Sequence, residues 1–525
     1  MSTAAAGALP AARPAAVPLR DWIAVIGGVL GAFMAVLDIQ ITNASLADIQ
    51  GSLGASLDEG SWISTGYLIA EIIVIPLTGW LSEVFGLRRY ILVNAGLFLV
   101  FSMLCGTATT LNQMILYRIG QGFTGGVLIP LAFTIVLIKL PPARRAIGAA
   151  MFGFSATFAP AIGPTIGGWL TDNYSWHWIF YINVFPGVAL ITMIWTGLDR
   201  TPSQIGRLLR GDWIGIFAMA VGLGCLEYML EEGQRKDWFG DDTIRTCGWL
   251  AAIFLSFFLI WELTRKEPFI DLRLLMRRSL GAATAINFLA GLALYGSVFI
   301  LPLYLSSVQG YNALQIGQVQ MWMGLPQLFV FPFLPLILRY IDSRVVCGIG
   351  LTLFAASCFI NGTTMTHDTG IDQLEFSQLV RALGQPLLMS PLAQMATIGI
   401  SPQQAGSASA LFNMMRNLGG SVGIAMLSTV ADQREHYHFS IIAERITHNS
   451  AQAAEWLAHM TQALASRGAD ASTQALAGMA QTARREAYVM AYADCFTLIG
   501  VALVLAILGV FFLSRARPGA GGAAH

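Results

Sequence analysis

Runs of roughly twenty apolar residues recur from about residue 22 to residue 513, and they restrict the possible folds more than any other feature of the chain. A hydrocarbon layer about 30 Å thick is crossed by roughly twenty residues at 1.5 Å each. A backbone amide left unpaired in lipid costs several kcal/mol, so each run must be a helix or a strand of a closed barrel. Barrel strands alternate polar and apolar residues over about ten positions, and these runs do not. The composition agrees: 55% of the 525 residues are hydrophobic and 11% charged, whereas soluble domains carry about 25% charged residues. An all-α polytopic membrane protein is expected, with about fourteen helices near 22–46, 61–81, 90–108, 112–136, 146–169, 176–197, 213–231, 244–263, 280–305, 314–338, 344–362, 374–396, 403–430 and 489–513.

An even number of crossings puts both termini on one side. Roughly nineteen of the thirty Lys and Arg then fall on the terminal side, eight on the other and three inside helices. The terminal side is therefore expected to be cytoplasmic, with short tails at 1–21 and 514–525. The first of these lacks the order of a cleaved signal peptide. The segment 432–488 is the one long polar stretch, and its Ala, Gln and Glu favour helix. It reads either as a solvated helical hairpin or as a docking surface. Its His436, His438, His448 and His459 are not read as a metal site. The six cysteines are scattered without a CxxC pair and read as packing residues.

A repeat runs through the chain. Gly79 to Arg89, GWLSEVFGLRR, is echoed by Pro335 to Arg344, PLILRYIDSR; Arg118 is echoed by Arg381, and Gly163-Pro164 by Gly419-Gly420. Two six-helix halves, 22–197 and 280–513, are expected in the same order, with two helices inserted between them at 213–263. Paired halves of this kind build midplane sites in alternating-access transporters.

Charged groups at membrane depth are costly and mark functional positions. Asp38 and Arg118 both lie roughly 9–12 Å below the same surface and can meet at one level. Burial favours the neutral acid and the guanidinium favours the carboxylate, a balance suited to loading and releasing a proton. A static buried ion pair is the alternative. Glu71 sits at mid-depth, as a second proton site, a contact for a cationic substrate or a water-facing group. Glu227 lies near the end of its helix and reads as an interface residue. Arg381 and Arg416 have no acidic neighbour at helical spacing, so their partners must come from other segments. For Arg416 these are Glu71 or a substrate anion, and for Arg381 a structural pairing.

Six strings resemble a known family in order along nearly the whole chain: LDIQITNASL (37–46), GWLSEVFGLRR (79–89), RIGQGFTGG (118–126), APAIGPTIGG (159–168), SWHWIFYINVFPG (175–187) and GSASALFNMMRNLGGSVG (406–423). They are similar to motifs of the major facilitator superfamily, and within it of the fourteen-helix drug:proton antiporters of the EmrB/QacA type. The chain departs from the pattern at Glu83, where Asp is usual, at Ala159, where Gly is usual, and at His177, where Arg is usual.

The resemblance implies a major facilitator fold, two six-helix halves plus two inserted helices, and proton-driven export of lipophilic drugs or toxic small molecules across the bacterial inner membrane. No cofactor is implied beyond the proton gradient. The implied partners are small lipophilic substrates, membrane lipids, and an EmrA-type periplasmic adaptor with an outer-membrane channel. Asp38 and Arg118 are the implied proton-coupling pair, with Glu71 added from its depth. Asn43, Gln121, Asn413 and Arg416 are candidates for the substrate cavity. Gly79, Glu83, Gly86 and Arg88 are expected as a latch at the terminal face. Pro160, Gly163, Pro164, Gly167, Gly168, Gly419 and Gly420 are expected as a sliding seam between the halves, since small residues let helices approach in lipid.

A proton-linked importer or carrier of one metabolite shares this fold, as does an exporter of fatty acids or siderophores. An ATP-driven pump would need GxxxxGK[ST], which is missing from the sequence. An enzyme would need a nucleophile with its base, or metal ligands, at membrane depth; histidines are lacking there.

Overall fold

Several helices begin where a side chain can satisfy their first free amides. Asp212 accepts from Gly215 N–H at 3.0 Å, Asp241 from Thr243 and Ile244 N–H at 2.8 and 3.0 Å, and Asp342 from Arg344 N–H at 3.0 Å. The computed structural model describes residues 17–514 apart from 142–143, 210, 267, 447–449 and 466–469, so most of both expected tails, and His448, lie outside the described residues.

The first half holds α1 (Leu19–Ala44), α2 (Trp62–Phe85), α3 (Leu87–Cys105), α4 (Leu111–Lys139), α5 (Arg145–Asn173) and α6 (Trp178–Gly197). The inserted pair is α7 (Trp213–Glu232) and α8 (Asp242–Thr264). The second half holds α9 (Arg278–Ser307), α10 (Leu314–Tyr340), α11 (Ser343–Thr364), α12 (Ile371–Ala396), α13 (Ala405–Arg445) and α14 (Ala471–Val510). Twelve of these are long and apolar enough to cross a membrane among the described residues; α12 and α13 are not counted with them. These two carry Gln378, Arg381, Gln385, Asn413 and Arg416, all buried, so their polar groups face protein rather than lipid.

Within the first half α1 lies against α4, α5 and α6, and α4 lies against α2 and α3. Within the second half α9 packs along α13 and α14, and α11 along α12 and α14. The halves meet through α2 on α13 and through α5 on α10 and α12. Helix α7 lies against α2 and α13, while α8 touches mainly α7 and leaves most of its apolar length uncovered.

The face that carries the start of α1 and the end of α14 is called the terminal face, and its opposite the far face. At the terminal face Lys139 reaches Asp199 at 2.7 Å and Asp21 at 2.9 Å, tying α1, α4 and the end of α6 together. The hydrogen bond from Lys139 holds the Asp199 carboxyl below the usual carboxylate range.

At the far face the boundaries differ from those expected. Helix α13 runs on to Arg445 and α14 starts at Ala471, with a short helix Ala451–Leu464 between them packed on α14. Polar contacts tie the two helices along this stretch: ion pairs from Arg484 to Glu435 at 3.0 Å and from Arg434 to Asp494 at 2.5 Å, and a hydrogen bond between His438 Nε2 and Asp494 Oδ2 at 2.8 Å.

Candidate functional site

Asp38 projects from α1 into the first half with 1% of its surface exposed. Its Oδ2 accepts from Arg118 Nη1 of α4 at 2.7 Å. Its Oδ1 accepts from Gln121 Nε2 at 2.9 Å and from Asn183 Nδ2, on the linker inside α6, at 2.6 Å. Arg118 in turn donates from Nε to the Ile63 carbonyl at 3.2 Å and from Nη1 to Gln121 at 2.7 Å, and lies 4.2 Å over the Tyr67 ring. Three donors thus hold one carboxylate, arranged by α1, α4 and α6, and the expected pair is in contact. Gln121 belongs to this cluster rather than to a cavity wall.

Glu71 on α2 lies at the boundary between the halves, where Asn417 Nδ2 of α13 donates to its Oε1 at 3.0 Å. Arg416 is close enough to act on Glu71 electrostatically but makes no ion pair with it among the described residues. Its guanidinium rests beside Tyr295 and 5.8 Å from the Phe152 ring, with Nε and Nη2 unpartnered. Arg381 is also buried; it donates to Ser297 Oγ at 2.5 Å, faces the Phe354 ring at 5.3 Å, and leaves Nε without a partner. Ser297 occupies in α9 the repeat position that Asp38 occupies in α1, offset by 259 residues, close to the spacing of Arg118 and Arg381.

The remaining candidates scatter. Asn43 is exposed at the end of α1 and accepts from Ser64 Oγ at 2.8 Å, so it lines no interior cavity. Asn413 is buried; its Nδ2 donates to the Ser409 carbonyl at 2.9 Å and its Oδ1 has no partner. Glu83 pairs with Arg207 at 2.9 Å, Arg88 covers the Trp195 ring at 4.7 Å, and a Cβ on Gly86 (φ +83°) would strike the Thr201 carbonyl. These contacts fasten Glu83, Gly86 and Arg88 to the first half and the 199–209 segment.

Helices α5 and α13 do lie at the boundary between the halves, but four of the glycines expected in the seam face their own halves. A Cβ on Gly163 would sit 2.5 Å from Gln40 Cβ, and one on Gly167 2.9 Å from the Ile41 carbonyl oxygen, both on α1. Gly419 and Gly420 abut Phe288 and Tyr295 on α9. All four seat a helix against the first helix of its own half. Pro160, Pro164 and Gly168 are buried in the same stretch of α5. Glycine contacts between the halves are Gly79 on Gly406, where a Cβ at 79 would lie 2.8 Å from the Gly406 carbonyl carbon, and Gly317 and Gly324 of α10 on Thr165 and Ala161 of α5, at 2.6 and 2.8 Å. Polar contacts continue this boundary. Thr157 Oγ1 donates to Gln327 at 2.5 Å, Ser409 Oγ to the Pro130 carbonyl at 2.6 Å, and Thr165 Oγ1 to the Gly317 carbonyl at 2.8 Å.

Sequence reasoning passed over Asn183, Tyr67, Asn417 and Ser421, neutral groups that look like packing. It also placed Glu227 at the interface, whereas its side chain is 1% exposed between α7 and α13. Depth counted from a helix end cannot tell which way a side chain turns.

The family model for the Major Facilitator Superfamily matches residues 28–424. The chain belongs to the major facilitator superfamily. Among its relatives are the colistin resistance protein EmrB of Acinetobacter baumannii, 32% identical over 94% of this chain and 97% of that one, and the fatty acid resistance protein FarB of Neisseria gonorrhoeae, 31% identical over 96% and 98%. The multidrug export protein EmrB of Escherichia coli is 30% identical over 94% and 95%. Among solved structures, the proton:xylose symporter XylE superposes with a TM-score of 0.60 at 14% identity, covering 96% of this chain and 98% of that one, a likeness of fold alone. The chain is a multi-pass membrane transporter whose relatives include proteins named for multidrug export.

Proposed function

We propose that the protein exports lipophilic small molecules from the cytoplasm in exchange for protons, with the terminal face cytoplasmic and Asp38 carrying the exchanged proton. What supports this above all is the Asp38 cluster: one carboxyl, 1% exposed, held by a guanidinium and two amides at 2.6–2.9 Å. A carboxylate isolated in hydrocarbon costs a few kcal/mol, and partners that can turn with the helices make its charge depend on conformation. The relatives' names, multidrug export and fatty acid resistance, agree with an outward direction. Proteoliposomes with an acidic lumen, and the terminal face outward, should accumulate ethidium. Accumulation driven instead by an alkaline lumen would identify an importer, and movement blind to the gradient would end the proposal.

For the far face we propose a docking role toward a periplasmic adaptor. Two membrane helices extended beyond the bilayer and tied by two ion pairs and a histidine–carboxylate hydrogen bond form a rigid platform, which solvation alone does not require. Replacing residues 451–464 by a short flexible linker should abolish drug resistance in cells while leaving transport by purified protein in liposomes within about twofold. Equal losses in both would refute docking.

A further inference from the structure

Glu227 stands on an inserted helix, outside the repeated halves. Its Oε1 accepts from Ser421 Oγ of α13 at 2.7 Å, and its Oε2, fully enclosed, has no partner. Glu231, one turn along its own helix, acts on it most, then Ser421 from α13 and Glu71 from α2; Glu71 in turn feels Arg416 of α13 and, more weakly, Arg118 and Asp38. No ion pair to Glu227 forms among the described residues. Carboxyls enclosed together in a medium of low dielectric constant are costly to charge at once, so the two can share a proton.

The two acids are also joined through α13. Asn417, which holds Glu71, and Ser421, which holds Glu227, are one turn apart, and Ser421 Oγ lies 3.3 Å from the Asn417 carbonyl. Toward the far face the acids continue. Glu232 accepts from Ser61 at 2.9 Å and Thr65 at 3.1 Å and pairs with Arg235. Arg235 lines a cavity of about 480 Å³ with Glu59, Trp62 and Lys236. At 1.5 Å per residue Glu227 lies about 7 Å below Glu232, and Glu71 about 13 Å below the start of α2. The carboxyls descend in order from that cavity to the boundary between the halves.

We propose that Glu227 and Glu71 form a second proton-carrying pair, loaded from the far face along Glu232 and Glu231, so that the inserted helix adds a proton to the transport cycle. Only a proton moves, from one carboxyl to the next. The role in transport rests on the antiport reading above; the shared proton does not.

Infrared difference spectra of the purified protein between pH 5 and pH 9 test the pair without any cargo. Glu227→Gln, whose amide can still accept from Ser421, should lose one protonated-carboxyl band, and Glu71→Gln should shift the band that remains. Both changes should persist in an Asp38→Asn background. A Glu227→Gln spectrum identical to the parent's would overturn the pair. In proteoliposomes with ethidium, Glu227→Gln should keep gradient-driven movement with about one proton fewer per cycle, and an unchanged ratio would remove the pair from transport. Band loss alongside a parent blind to pH gradients would strike the antiport reading and leave the pair standing.

Discussion

Asp38→Asn is expected to lower pH-gradient-driven ethidium transport in proteoliposomes to background, a loss of at least a hundredfold, while inserted, folded protein is still recovered. The substitution keeps the shape of the side chain and removes its charge. An amide oxygen at the Oδ1 position can still accept from Gln121 and Asn183. Its nitrogen would then face Arg118 Nη1, donor against donor, where a carboxylate oxygen now accepts at 2.7 Å. Breaking a buried pair by removing one partner costs about 3–5 kcal/mol. Part of that is offset here, because Arg118 also bonds the Ile63 carbonyl and Gln121 and stacks on Tyr67. Wild-type transport by this variant, at a normal folded yield, would show that the proton is carried elsewhere.

Gly79→Leu should reduce transport at least tenfold with little change in folded yield. A Cβ at 79 meets backbone atoms of Gly406, and one at 406 lies 3.0 Å from Gly79 Cα, so neither helix can yield by rotating a side chain. The contact is between halves, which can separate without unfolding, and the variant should therefore rest with its terminal face ajar. An added Asn413→Cys, buried in the parent, should then react faster with an impermeant maleimide applied to that face. Gly419→Leu is the control. There a Cβ would fall 2.1 Å from the Phe288 carbonyl oxygen inside one half, and the expected result is loss of folded protein. Transport unchanged in Gly79→Leu would refute this location of the seam.

Much of this was legible in the sequence for one reason: in an apolar helix each charged residue stands out, and its depth follows from counting. Asp38 and Arg118 were readable in that way, and they do meet. What counting cannot supply is azimuth. Glu227 and Asn43 lie at opposite ends of that difficulty, the first read as exposed and found enclosed, the second read as interior and found exposed. The glycines met the same limit. A small residue announces close approach but not the neighbour approached, and Gly163 faces Gln40 of its own half while Gly79, read as part of a loop motif, touches the other half. Neutral donors such as Asn183 carry no charge to betray them.

The repeat kept its guanidinium in both copies and its acid in one, since Arg381 meets Ser297 where Arg118 meets Asp38. Arg118, Arg381 and Arg416 stay positive at any physiological pH. Asp38, Glu71 and Glu227, all buried, can offset them only while ionised. Under the proposed exchange, each hydrogen ion taken up would tip the interior further toward positive, which disfavours a cationic passenger. An acid at position 297 would stand against Arg381 as Asp38 stands against Arg118, and so reduce that imbalance.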